Sequence, residues 1–175
     1  MIKSIMRIIA GSKRGKKLIE KIDSTTRPTT DRVRENVFNV LSNLIDIRGA
    51  KVLDLFAGCG AYGLEAFSRG AAEVTFNDSD PRAVEVIKKN CRSVGCEARI
   101  LNLDFKEAIT DEYFDIVFLD PPYNSNFGEL ALEKINAKII VFETEKDLQI
   151  PYLKKKTYGR ARVYFLQKNS SQDQT

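Results

Sequence analysis

From Lys51 onward, short apolar runs alternate with amphipathic stretches, and this alternation limits the possible folds more than any other feature of the chain. Residues 52–56, 73–77, 98–103, 114–119 and 138–143 each read as a short buried strand. Helical stretches between such strands return the chain to the same edge before each new strand, so neighbouring strands pair in parallel and helices cover both faces. Asp80-Pro81 marks one helix start, an acceptor for the cap followed by a first-turn proline, with Val84, Ile87, Cys91 and Val94 on its buried side. Lys155 to Tyr158 and Arg162 to Leu166 close the pattern as an antiparallel hairpin around Gly159. At 175 residues and 43% hydrophobic, the chain suits one α/β domain.

Acids stand at the ends of four of these strands: Asp54, Asp78, Asp104 and Asp120. In open α/β sheets, ligands bind at the carboxyl ends of the strands, so the acids point to a single site. Between the first two lies Ala57-Gly58-Cys59-Gly60-Ala61-Tyr62-Gly63, where glycines let the backbone turn sharply and approach a ligand. Gly58, Gly60 and Gly63 also fit G-x-G-x-x-G with Asp78 twenty residues on, a spacing compatible with a dinucleotide fold. Asp54 tilts the reading toward S-adenosylmethionine, because a carboxylate there suits an ammonium or sulfonium and repels a pyrophosphate. Asp78 is placed to accept from ribose hydroxyls with either cofactor, and Asp104 to meet an adenine amino group.

The fourth acid opens Asp120-Pro121-Pro122-Tyr123. An exocyclic amine is a poor nucleophile, since its lone pair is delocalised into the ring. Acceptance of one N–H by Asp120 and of the other by a proline-pair carbonyl, that of Pro121, draws the nitrogen toward tetrahedral geometry. Both prolines fix φ and lack an N–H, so the turn is stiff, and Tyr123 follows where it can stack on a base taken out of a helix. The bland alternative is a proline turn that closes a strand.

Charge and composition narrow the partners. Residues 1–22 hold seven bases against Glu20, and residues 151–175 hold six against Asp173, whereas residues 101–150 hold four bases against eleven acids. Basic ends around an acidic centre fit nucleic acid. Lys13, Arg14, Lys16 and Lys17 cluster on a turn that joins a basic strand pair, Met6 to Ile9 and Lys17 to Ile22. Thr30 to Ile45 reads as a helix whose apolar face is Val33, Val37, Phe38, Leu41, Leu44 and Ile45, with Arg27, Arg32 and Arg34 off that stripe to meet RNA or to pair with Asp31 and Glu35. The chain has no histidine, which argues against triad hydrolases and most zinc sites, so no metal is expected. Three cysteines without a CxxC make a disulfide framework improbable. With no signal segment and no run long enough for a membrane span, the expectation is a cytoplasmic protein; a monomer is expected as well.

Taken together, Asp54-Leu55-Phe56-Ala57-Gly58-Cys59-Gly60-Ala61, Gly63-Leu64-Glu65-Ala66, Ser68-Arg69-Gly70-Ala71, Met6-Arg7-Ile8-Ile9-Ala10-Gly11 and Arg27-Pro28-Thr29-Thr30-Asp31-Arg32-Val33-Arg34-Glu35 resemble the RsmD-type 16S ribosomal RNA guanine-N2 methyltransferases, from Met6 to about Gln167. Asp78 departs from the family's usual Glu, and Cys59 from its small polar residue. The resemblance implies a Rossmann-like class I methyltransferase fold, with a mostly parallel seven-stranded sheet over 30–168, a basic RNA-contacting appendage at 1–29 and a disordered tail at 169–175. It implies S-adenosylmethionine at Asp54, Phe56, Ala57, Gly58, Gly60, Asp78 and Asp104, and chemistry at Asp120, Pro121, Pro122 and Tyr123. RNA contacts then fall to Lys13, Arg14, Lys16, Lys17, Arg27, Arg32 and Arg34. The implied substrate is the N2 amine of guanine 966 in ribosomal RNA, within the small subunit or its precursor. Three alternatives stay open: an adenine-N6 methyltransferase using the same proline motif, a nicotinamide-dependent oxidoreductase using the same glycines, and a non-catalytic RNA-binding module.

Overall fold

The structure, a computed structural model, describes residues 6–20 and 30–168. Its elements run α1 (Asp31–Leu44), β1 (Lys51–Asp54), α2 (Ala61–Ser68), β2 (Glu73–Asn77), α3 (Pro81–Val94), β3 (Arg99–Leu101), α4 (Phe105–Ala108), β4 (Tyr113–Leu119), α5 (Phe127–Lys134), β5 (Asn136–Thr144), β6 (Lys154–Tyr158) and β7 (Ala161–Gln167). The strands form one seven-stranded sheet in the order β3-β2-β1-β4-β5-β7-β6. β1 to β5 pair in parallel, while β7 pairs antiparallel with both β5 and β6.

Strand alternation divides the core in two. Val52, Val74, Phe76, Ile116, Phe118, Ile139, Val141, Val163 and Phe165 face α1, α2 and α3. Leu53, Val117, Leu119, Ile140, Phe142, Tyr164 and Leu166 belong to the second core, with α4 and α5. Each helix that starts cleanly does so for a local reason. Thr30 caps α1 by accepting from the Val33 N–H at 3.3 Å, and Asp80 caps α3 ahead of Pro81. Gly95 ends α3 in the left-handed region, at φ 70°, which a glycine adopts without strain.

Several boundaries differ from the sequence expectation. The first strand stops at Asp54 rather than residue 56, because Ala57 donates across to the Asn77 carbonyl and pulls the chain out of the sheet. The third is trimmed to Arg99–Leu101. The amino-terminal strand pair is reduced to one bridge, Arg7 with Lys17, flanked by Ile8 N–H to Lys16 O and Leu18 N–H to Met6 O. Lys21 and Ile22, like Arg27 and the tail at 169–175, lie outside the described residues. The hairpin falls where expected, as β6 and β7.

The amino-terminal segment is packed into the protein. Met6, Ile8 and Leu18 are buried in the same core as α1 to α3. Its backbone is met by Glu65 of α2, which is fully buried and accepts from Ile9 N–H at 2.8 Å, Ala10 N–H at 3.0 Å and Arg69 Nε at 2.9 Å. Ser68 takes the next turn of the segment, donating to Ala10 O and accepting from Lys13 N–H. Asn90 of α3 holds the far end, through both backbone groups of Ile19.

Removal of the Glu65 carboxylate strands two backbone N–H groups and the guanidinium of Arg69 without their acceptor. We therefore expect Glu65→Ala to destabilise the fold by roughly 3–5 kcal/mol in denaturant unfolding, and Glu65→Gln, which keeps one acceptor oxygen, to cost distinctly less. Equal losses in the two variants would mean that the negative charge, and not the acceptor geometry, holds the segment.

Candidate active site at the carboxyl edge of the sheet

The order of the sheet reverses at β1 and β4, which lie side by side while their following helices cover opposite faces. At such a switch point the carboxyl ends of the strands open into a crevice. Asp54 ends β1 and pairs in register with Phe118, two residues before Asp120. Alternation puts the Asp54 and Asp120 side chains on the face of Val52 and Phe118, under the amino terminus of α2.

Asp54 is 2% exposed and accepts from the Gly63 N–H at 3.0 Å. Burial raises its carboxyl to about 7, the Gly63 bond opposes the rise and the charge of Asp78 adds to it. Burial also holds Asp120 well above the usual carboxylate range, helped by the charges of Glu143 and Asp54. Glu143 comes from the end of β5, one residue past the Leu119–Phe142 pair, and accepts from the Tyr62 hydroxyl at 3.1 Å. The Tyr62 ring stacks on Phe118, with centroids 4.9 Å apart. Three carboxylates from three neighbouring strands thus share one wall, an arrangement that a positively charged ligand stabilises.

The glycine loop has a separate reason for each glycine. Gly58 sits at φ 59°, with no atom within 4 Å of where a Cβ would stand. Gly60 is the left-handed residue that caps α2. Gly63 has an ordinary backbone, but a Cβ there would lie 2.3 Å from the Phe76 ring. Asp78 straps this loop, accepting from Gly58 N–H at 2.9 Å with one oxygen and from Asp80 N–H at 2.9 Å with the other. Carboxylate oxygens have two lone pairs each, so Asp78 keeps acceptor capacity toward solvent.

Asp104 is exposed and caps α4 by accepting from the Lys106 N–H. Beside it, Phe56, Phe105 and Phe127 form a row of rings with centroids 5.5 and 5.0 Å apart. The proline motif is held from below and from the side. A Cβ on Gly128 of α5 would strike Phe142 at 2.3 Å and meet Pro121 at 3.1 Å, so only glycine lets the helix pack this close. The Pro122 carbonyl is already taken by the Ser125 hydroxyl at 2.7 Å. Lys146 donates to Ser125 O and pairs with Glu129, tying down the loop that turns at Asn124 (φ 58°). Tyr123 is 40% exposed.

The structure gathers Asp54, Ala57, Gly58, Gly60, Asp78 and Asp120 at the carboxyl edge of β1, β2 and β4, with Phe56 and Asp104 beside Phe105. Tyr62, Glu143, Phe105, Phe127 and Lys146 were missed by sequence reasoning. Glu143 carried a legible signal, an acid ending the fifth strand as the others end theirs, and Asp104 to Glu107 has the spacing of a capping box that would have exposed α4 and Phe105. Among the described residues, no three His, Cys, Asp or Glu side chains are grouped to hold a metal ion.

One expected RNA contact is overturned. Arg34 is fully buried, donating to Arg7 O and to Asp31 at 3.0 Å, with Nε 3.9 Å from Glu65. It lies on the helix stripe 34-38-41-45 with Phe38 and Leu41, not off it, and faces the core. Arg32 is exposed, as are Arg14, Lys16 and Lys17, with Lys13 partly so.

Comparison with known proteins bears on the family and the fold. A family described as Conserved hypothetical protein 95 matches residues 6–167. The Haemophilus influenzae ribosomal RNA small subunit methyltransferase D is 41% identical over 90% of this chain and 91% of its own length. The Buchnera aphidicola (Acyrthosiphon pisum) protein of the same name is 30% identical over 89% of this chain and 86% of its own length. Among solved structures, the Escherichia coli protein called "Putative methyltransferase yhhF" superposes with a TM-score of 0.83 at 33% identity, covering 95% of this chain and 99% of that one. The Thermus thermophilus 16S rRNA N2 G1207 methyltransferase, solved with AdoMet and guanosine, shares the fold at 23% identity and a TM-score of 0.65, over 82% of this chain and 45% of that one. The sheet order and these neighbours make the fold that of a class I methyltransferase. By the extent of the family match and by 41% identity along nearly its whole length, the chain belongs to the Conserved hypothetical protein 95 family, the RsmD-type methyltransferases.

Proposed function

We propose that this protein transfers a methyl group from S-adenosylmethionine to the exocyclic N2 amine of a guanine in small-subunit ribosomal RNA, guanine 966 by family resemblance, acting as a cytoplasmic monomer on the small subunit or its precursor. The observation that carries the reading is the wall of carboxylates at Asp54, Asp120 and Glu143, next to a proline turn with one carbonyl engaged and the other, Pro121, available to substrate. A cationic cofactor fits that wall; a pyrophosphate is repelled by it. The names of the relatives support ribosomal RNA as the substrate class.

In this reading, Asp54 faces the cofactor's ammonium or sulfonium, and the open backbone at Ala57, Gly58 and Gly60 lets it approach. Asp78 accepts from the ribose, while Asp104 and the ring of Phe56 border the adenine. When bound, S-adenosylmethionine supplies an electrophilic methyl on a positively charged sulfur. Asp120 and the Pro121 carbonyl each accept one N–H of the guanine amine and localise its lone pair, and these acceptors need no rearrangement during reaction. Tyr123 stacks on the base. The proton that the nitrogen sheds once it carries the methyl group would pass through Asp120 to water. Pro122 keeps the turn rigid.

The raised carboxyl of Asp54 gives a pH signature. Its anionic form, which holds the cation, predominates above about pH 7 and is lost below. Cofactor affinity measured by calorimetry should therefore be flat at alkaline pH and weaken as pH falls through about 7, up to tenfold per unit. Asp54→Asn should bind weakly and lose the dependence. An affinity that stays constant well below pH 7 contradicts the placement of the cofactor.

Asp120→Ala should lower methyl transfer by roughly a hundredfold or more, a loss far larger than the weakening of cofactor affinity that follows from taking one carboxylate out of the wall. Tyr123→Ala should cost roughly 1–3 kcal/mol of base stacking, and Tyr123→Phe should keep most activity. Full activity in Asp120→Ala, or tight NAD binding by the parent, would remove the assignment.

A further inference from the structure

The strand registers run sideways from the proline motif: Leu119 opposite Phe142, Phe142 opposite Tyr164, and Tyr164 opposite Lys155. Three strand spacings place β6 about 14 Å from β4. Because β7 runs against β5, with Arg162 opposite Thr144 at the carboxyl edge, the turn from Tyr158 to Ala161 lies on the same rim as Asp120. Glu143 of the carboxylate wall lies opposite Val163, which lies opposite Lys156, so the wall and the β6–β7 hairpin are two strands apart.

Residues 151–168 contain six bases and no acid. Three are occupied: Lys155 pairs with Asp147 at 2.5 Å, Arg162 donates to Glu145 O at 2.5 Å, and Lys168 donates to the carbonyls of Leu132, Glu133 and Ile135. Lys154, Lys156 and Arg160 point outward, exposed, and Lys156 and Arg160 are those nearest the rim. The amino-terminal basic turn is elsewhere. It is fixed by Ser12 N–H and Lys13 N–H to Ser68, at the carboxyl end of α2. α2 begins at the glycine loop and runs away from the rim for eight residues, roughly 12 Å.

An extruded base needs the backbone on either side of it gripped, and phosphate contacts supply that grip. The carboxylate wall repels phosphate, so the grip must sit beside the wall and not in it. We propose that Lys156 and Arg160, on and beside the β6–β7 turn, hold the phosphates flanking the target nucleotide, while Lys13, Arg14, Lys16 and Lys17 hold RNA farther along the chain. The inference rests on the RNA-methylating reading above, and it commits to the RNA backbone rather than to a protein surface.

The test compares the parent, the double variant Lys156→Ala with Arg160→Ala, and the quadruple alanine variant of the amino-terminal turn. Each is titrated with a short single-stranded RNA centred on the target guanine, with long naked small-subunit RNA and with assembled unmethylated subunits. The double variant should bind the short RNA at least tenfold more weakly, with a salt slope smaller by about 1.4, or 0.7 for each lost contact, and with cofactor affinity unchanged. The quadruple variant should match the parent on the short RNA and weaken only on the long one. Parental binding by the double variant on every substrate overturns the inference. So does a loss confined to assembled subunits, which would assign the turn to a protein partner. A parent that binds these RNAs as expected but methylates none of them counts against the proposed reaction and leaves the role of the turn intact.

Discussion

The buried carboxylate of Asp54, with the half-buried Asp120 beside it, is the constraint on which much of the structure depends. Asp54 and Asp120 end neighbouring parallel strands and face the same side, with Glu143 next along the edge. Isolated buried anions cost several kcal/mol each unless they are paired or protonated. Among the described residues, Asp54 accepts one backbone N–H, from Gly63, and Glu143 accepts from the Tyr62 hydroxyl. Burial and the neighbouring charges raise the carboxyls of Asp54 and Asp120, and a cation placed between such groups relieves that repulsion. A site built in this way is destabilised while empty and stabilised by its ligand.

The rest of the framework keeps that crevice in shape. Gly63 packs against Phe76, which sets α2 close enough to reach Asp54, and Gly128 lets α5 sit against Pro121 and Phe142. Glu65, two residues farther along α2, fastens the amino-terminal segment whose other end reaches Asn90 and through it the Cys59 carbonyl of the glycine loop. The segment and the glycine loop are therefore connected through Asn90.

The parallel sheet was legible because its strands are apolar on both faces and their ends are punctuated by acids and glycines. All four acids identified from sequence stand at the carboxyl edge. The failures share a cause, which is that they depend on packing across the chain. Arg34 reads as a surface base because it is charged, yet the stripe 34-38-41-45 carries it into the core to meet Arg7 and Asp31. α4 is a single turn and α5 has only eight residues with a glycine at its second position, so neither leaves a periodic signal. Tyr62 looks like one more loop aromatic until the fold brings it to Glu143, residues separated by 81 positions. The side-by-side placement of Asp54 and Asp120 is likewise a consequence of strand order, which composition and spacing do not encode.

What the carboxylate wall and the proline turn are for comes down to which atom receives the methyl group. The most direct measurement is transfer of a labelled methyl group from S-adenosylmethionine to small-subunit ribosomal RNA that lacks its own modifications, followed by digestion and identification of the labelled nucleoside. N2-methylguanosine as the labelled product is the expected result. Label in N6-methyladenosine, or no label in RNA from a protein that binds the cofactor tightly, would contradict the reading of this site.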